Sequence, residues 1–484
     1  MRKSTVIGFL LVGIFSSKAF ALECNAVIIG QPSVPNFAES LSVRLERLGG
    51  KIVHYFPPQV AIGFVPEKVA ALLLIDSVID TVCFTRVNPD GWSLPASSKS
   101  GLAAWNYFLD LREGLIQPQA PATPPTPLVN DNRYPRGSEG AVSGQTGDPL
   151  DCPFGPASVD PGKRFASAYM IGKIAVGIFL LESNGPDENW TAGEEQTVVN
   201  EIFGATNRLS TMAKSNGVNL SWFYEFHFKV PTSFEPIQGP SKPSYSFPAG
   251  WDFAWVGEAL AHVGFNTNWC GYYDYVNDLR ARMKTNWAYG VFIVRDQNDP
   301  DHEFTDGDFA YTMDNSLVVM TYNNADWAPS GMDFVFQHET AHTCFAADEY
   351  IASGDCDDCS KLFGYIGVTN GNCARCTGAG NQADCVMRSE YYVTVYCSFT
   401  RGQIGWNDFD GDGPNDPIDP NTRFWASLSP VSPGGRVSIA LNETFLKSIA
   451  VTSDNSDATG PSGFIIWDAT NIHYAEMIPQ CCYY

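Results

Sequence analysis

Met332-Asp-Phe-Val-Phe-Gln-His-Glu-Thr-Ala-His-Thr-Cys-Phe-Ala-Ala-Asp-Glu-Tyr350 is the stretch on which the reading of this chain turns. It contains His338, Glu339 and His342 in the spacing H-E-x-x-H. In a helix, residues four apart lie on one face. The two imidazoles can therefore meet one cation, with the Glu339 carboxylate beside it. Zinc suits two imidazoles and one oxygen ligand, with a fourth position left to water. A carboxylate next to that water can act as general base and then pass the proton to a leaving amine. The alternative is an ordinary helix with two satisfied interior histidines, so the surroundings of the motif have to decide.

Asp348 lies six residues after His342, where the pattern H-E-x-x-H-x-x-G-x-x-H/D places a third ligand. Cys385-Val-Met-Arg388 follows about forty residues later and puts Met387 where a methionine turn would underlie the metal. Tyr396 to Ile404 stands where a C-terminal helix is expected, and Ser316 to Tyr322 reads as an edge strand for an extended substrate. These features resemble the metzincin clan of zinc endopeptidases. The Asp348-Glu349-Tyr350 ending is most similar to the IgA-peptidase-like family. The resemblance covers roughly residues 165–410. It implies a zincin-like catalytic domain, with a twisted mixed sheet, an active-site helix and a Met-turn. It also implies zinc as cofactor, Glu339 as catalytic base, and His338, His342 and Asp348 as ligands. The expected activity is hydrolysis of peptide bonds in extended protein or peptide substrates. In one position the chain departs from the pattern: Phe345 replaces the glycine that turns the chain after the helix. A non-glycine residue rarely accepts positive φ. Either the turn shifts to Ala346-Ala347, or the third ligand is elsewhere, with Glu349 as its substitute. The same departure supports a second reading, a degenerate zincin serving as a secreted binding or adhesion module. A third, hydrolysis of a non-peptide amide, fits poorly with an edge strand.

The rest of the 484 residues frames this motif. Arg2 and Lys3, an apolar run from Thr5 to Phe15 and Ala19-Phe20-Ala21 read as a signal peptide over 1–21, cleaved after Ala21. The run is shorter than the ~20 residues a span needs, so no stable membrane span is expected, and the product is secreted, periplasmic or at the cell surface. The formal net charge of −23 argues against nucleic acid as a partner. Residues 22–90 show β-α-β-β-α-β patterning, a small ferredoxin-like, propeptide-like unit. Residues 91–163 read as a Pro/Gly-rich linker. Residues 164–430 read as the catalytic domain, and 431–484 as a β-rich segment containing cysteines. Lys173 to Leu181 is a buried strand, and Thr191 with Glu194 a capping box that opens a long helix. The fold class is therefore α+β.

Thirteen cysteines follow the leader, an odd number. Cys356-x-x-Cys359 and Cys373-x-x-Cys376 have zinc-ribbon spacing, but in an exported chain they read as disulfides. Cys83 and Cys152 are weaker candidates for a latency ligand on the zinc, and Cys344 reads as a buried thiol. Asp408, Asp410, Asp412, Asp416 and Asp419, turned by Gly411 and Gly413, resemble a calcium loop; a solvated acidic turn is the alternative.

Overall fold

The computed structural model describes residues 24–116, 167–183, 189–233, 254–408 and 415–418, with gaps of a few residues inside these ranges, and short strand pairs between 426 and 465. The chain begins β1 (Ala26–Gly30), α1 (Phe37–Arg47), β2 (Lys51–Phe56), β3 (Val60–Phe64), α2 (Glu67–Leu74), β4 (Ile79–Cys83) and α3 (Ala96–Arg112). It continues β5 (Gly172–Ser183), α4 (Ala192–Ser215), β6 (Leu220–Thr232), α5 (Ala254–His262), α6 (Trp269–Met283), β7 (Trp287–Val294), β8 (Ala310–Met313), β9 (Leu317–Thr321) and α7 (Met332–His342). After α7 come a short hairpin, β10 (Leu362–Phe363) with β11 (Val368–Thr369), and two short helices, α8 (Ala374–Thr377) and α9 (Ser398–Gln403).

The first nine strands form one mixed sheet, ordered β4-β1-β3-β2-β6-β5-β7-β9-β8. The mixed α/β composition expected from sequence is thus present. Strands β6, β5, β7 and β9 are parallel neighbours, and β8 closes the far edge antiparallel to β9. Alternation along each strand supplies both faces of the sheet with apolar side chains. On β5, Ile174, Val176, Ile178 and Leu180 enter one core, with residues of α3, α4 and α7; Ala175, Phe179 and Leu181 enter the other, with residues of α1, α2, α5 and α6. A strand covered on both faces reads as a continuous apolar run, which is how β5 was recognisable in the sequence.

Residues 24–112 share this sheet and core. Strand β2 pairs in parallel with β6, His54 opposite Trp222 and Tyr55 opposite Phe223. His54 Nδ1 lies 2.8 Å from the Tyr224 hydroxyl, itself 2.6 Å from Thr206 Oγ1 on α4. Burial lowers the His54 pKa to about 3, so the imidazole is neutral at this junction. Phe56 packs against Tyr224 and Phe226. The stretch read as linker contains α3, whose Leu102, Trp105, Phe108 and Leu109 are buried in the core shared with α4. Removal of residues 24–112 would uncover the β6 edge and this apolar surface. Residues 117–166, including the proline-rich run and Cys152, lie outside the described residues.

Candidate metal centre

Helix α7 is buried along most of its length, and Tyr289 on β7 contacts it through a 3.0 Å hydrogen bond between the Tyr289 and Thr340 hydroxyls. Its last turn carries His338, Glu339 and His342, whose ligand atoms lie within 4.8 Å of one another. Beyond His342 the chain reverses without glycine. Phe345 adopts φ +64°, the left-handed conformation. Phe345 N–H donates to His342 O (3.0 Å) and Ala346 N–H to Ala341 O (3.2 Å), the pair of bonds that closes a Schellman turn. The Phe345 carbonyl accepts from Gly364 N–H at 3.0 Å. Neither alternative raised by the sequence holds: the turn does not shift to Ala346-Ala347, and Asp348 still arrives at the histidines. The cost of the left-handed residue, about 1–2 kcal/mol, is borne by these surrounding bonds.

Three atoms meet at one point. His338 Nε2 and His342 Nε2 are 3.0 Å apart, and Asp348 Oδ1 lies 3.0 Å from each. His338 and His342 are 2% and 1% exposed, and Asp348 is fully buried. His338 Nδ1 faces Val386 O at 3.1 Å, and His342 Nδ1 faces Ala346 O at 2.8 Å. A carbonyl only accepts, so both Nδ1 atoms carry the proton. The two Nε2 atoms then turn lone pairs toward each other and toward a carboxylate oxygen, an arrangement that calls for a shared cation. The 3.0 Å edges are close to the roughly 3.3 Å between ligands of a tetrahedral ion with bonds near 2.0 Å. The donor set therefore fits a metal ion. Burial alone would lower the His338 pKa, but hydrogen bonding to Asp348 and its charge outweigh it and raise the value. A proton and a metal ion compete for the same point.

The two carboxylates beside the histidines differ in what they face. Glu339 Oε2 accepts a 2.6 Å hydrogen bond from Thr312 Oγ1, which also lies 3.1 Å from Glu339 O. Asp348 Oδ1 completes the triangle, while its Oδ2 accepts from Ser353 Oγ at 3.3 Å. The backbone around Asp348 is fixed by Ala347 N–H to Gln403 Oε1 (3.0 Å), Asn370 Nδ2 to Asp348 O (2.7 Å) and Glu349 N–H to Met387 O (2.9 Å). Met387 is buried within the core that holds α7. Its turn touches the site twice, through Val386 O on His338 and Met387 O next to Asp348.

Several expectations change. Glu349 does not substitute for Asp348: its carboxylate faces Cys397, Thr400 and Asn372 instead. The strand near 316–322 is not an edge; β9 lies between β7 and β8, and the edge beside the site is β8, with Thr312 on it. Cys83 ends β4 at the opposite edge of the nine-stranded sheet, too far away to reach the metal point. Cys356–Cys373 and Cys359–Cys376 are disulfides, as expected over a zinc ribbon. Of the acidic loop, Asp408 and Asp416 are described, whereas Asp410, Asp412 and Asp419 lie outside the described residues. Thr312, Ser353, Asn370 and Gln403 carried no motif; the short apolar alternation of Ala310 to Met313 was the one available signal.

No protein-family model and no curated protein matches this chain.

Proposed function

We propose that this protein is a zinc-dependent endopeptidase of metzincin type, similar to the IgA-peptidase-like family and exported by its leader. The observation that carries the reading is the triangle of His338 Nε2, His342 Nε2 and Asp348 Oδ1, with Glu339 on the same helix turn. The turn at Val386–Arg388, set against His338, and the two disulfides of the loop before it are consistent with the same reading.

When bound there, zinc supplies Lewis acidity that acidifies water and polarises a carbonyl. His338, His342 and Asp348 would hold it, each oriented by the carbonyls and the hydroxyl described above. Glu339 takes the proton from the attacking water and returns it to the leaving amine. Thr312 occupies Glu339 Oε2, which leaves Oε1 as the oxygen that handles the proton. Among the described residues β8 pairs with β9 alone, and its other side is where an extended peptide would pair, on the strand that carries Thr312, the partner of Glu339.

Two histidines and one carboxylate also serve non-haem iron, so the metal must be identified together with the activity. Purified protein is expected to carry one zinc per chain, to cleave a denatured protein, and to lose cleavage on chelation with recovery on zinc addition. Glu339→Gln should keep zinc and lose on the order of 10²–10⁴ in rate. Zinc at one per chain with no cleavage of a broad peptide library would support the binding-module reading instead.

A further inference from the structure

Behind the metal triangle lies a second buried cluster that the proposed chemistry does not use. Glu349 Oε1, Cys385 Sγ and Cys397 Sγ lie within 4.8 Å of one another. Both cysteines are buried and carry free thiols. Cys397 Sγ lies 2.9 Å from Glu349 Oε1, and Thr400 Oγ1 is 3.2 Å from Cys385 Sγ. Backbone N–H groups point at both sulfurs, Cys397 N to Cys385 Sγ (3.3 Å) and Thr400 N to Cys397 Sγ (3.4 Å).

We propose that Cys385 and Cys397 form a further disulfide, which braces the turn that orients His338 and the segment carrying Asp348. The loop just before them already holds Cys356–Cys373 and Cys359–Cys376 as disulfides, which fits an oxidising compartment. A facing pair of thiols in such a compartment is expected to close. A metal ion is the weaker occupant. Structural zinc takes four ligands, and this cluster offers three among the described residues. Glu349 is also already engaged: Oε1 accepts from Thr400 Oγ1 at 2.9 Å and Oε2 from Asn372 Nδ2 at 2.6 Å. Both bonds survive when the sulfurs join.

The bond forms during folding, before burial, by exchange with the disulfide of an oxidant such as a thiol–disulfide oxidoreductase. One cysteine thiolate attacks that disulfide, giving a mixed disulfide and releasing one thiol. The second cysteine thiolate then attacks the first cysteine's sulfur and releases the other thiol. Two electrons pass to the oxidant, and the two cysteine protons end on its two thiols.

The bond would tie together the two ends of the segment that supplies Val386 O to His338 and Met387 O to Glu349 N–H. Within it, Val386 N–H also donates to Val395 O at 2.8 Å. Cys397 in turn caps α9, which ends at Gln403, the partner of Ala347 N–H. The bridge therefore supports the metal triangle from behind.

The test is peptide mapping of the full exported chain, alkylated and digested without reductant. A peptide pair joined at Cys385 and Cys397, lighter by two hydrogens than the reduced pair and separated by reductant, is the expected result. Alkylation of both cysteines in the unfolded, unreduced protein would overturn the proposal. So would thiols that become reactive only after chelation, with a second zinc released per chain. This mapping does not depend on the peptidase reading. A second measurement does: the Cys385→Ser/Cys397→Ser protein should bind zinc about 10-fold more weakly, the scale of losing support behind a ligand. Unchanged zinc affinity with the bridge mapped would leave the disulfide standing and remove its role at the metal.

Discussion

Asp348 and Glu349 are adjacent carboxylates with opposite surroundings. Asp348 reaches two imidazoles at 3.0 Å, whereas Glu349 reaches a cysteine, a threonine and an asparagine. Both are fully buried. The difference is one of compensation. Asp348 sits where a cation would balance both it and the facing lone pairs, so its burial makes sense with an ion present. Glu349 accepts hydrogen bonds from Cys397, Thr400 and Asn372, and burial, with Cys397 beside it, raises its pKa well above the ordinary carboxylate range. Under the proposed function Asp348 belongs to the metal site and Glu349 to the framework, and the chain between Phe345 and the turn at Met387 gives the two their different surroundings.

The largest effect should come from exchanging the fates of this pair. Asp348→Ala is expected to lower zinc affinity by at least about 100-fold, beyond the 10–100-fold typical of a residue behind the ligands, and to abolish cleavage. Glu349→Gln keeps a neutral, hydrogen-bonding side chain and should retain both zinc and cleavage within about 3-fold, on the same scale. Zinc content and initial rates measured on both variants decide this; if Glu349→Gln loses zinc and Asp348→Ala does not, the comparison is inverted.

A smaller effect is expected at the turn that delivers both residues. Phe345→Gly removes the penalty of φ +64° and should raise stability by up to about 1 kcal/mol, less whatever the phenyl ring contributes by packing. Phe345→Val places a β-branched residue at positive φ and should lower stability by a similar amount. Denaturant midpoints read this directly. A destabilised glycine variant beside an unchanged valine variant would mean that side-chain packing, not backbone strain, governs the position.

What could be read in advance followed from how local the signals are. The apolar run of β5 and the Thr191–Glu194 box of α4 are contiguous, and both are present: Glu194 N–H donates to Thr191 Oγ1 at 3.3 Å and Thr191 N–H to Glu194 Oε2 at 2.7 Å. The H-E-x-x-H spacing likewise needs only one helix turn. Helix α3 was missed because a proline-rich run follows it, although Leu102, Trp105, Phe108 and Leu109 already carried helical spacing. Strand β8 was missed because an alternation of four residues is too short to stand out in the sequence. The joining of the N-terminal strands to β6 was beyond reach, since a parallel pairing between residues 54 and 222 leaves no local trace. The Phe345 turn misled for a related reason: its strain is met by Gly364 and by the helix end, partners that sequence does not bring together.

The most direct measurement is X-ray absorption at the zinc edge on protein holding one zinc per chain. A metal bound by His338, His342 and Asp348 predicts a first shell of nitrogen and oxygen at about 2.0–2.1 Å with imidazole scattering and no sulfur. A sulfur shell near 2.3 Å would place the ion at Cys385 and Cys397 instead, and would contradict both the assignment of Asp348 and the bridge behind it.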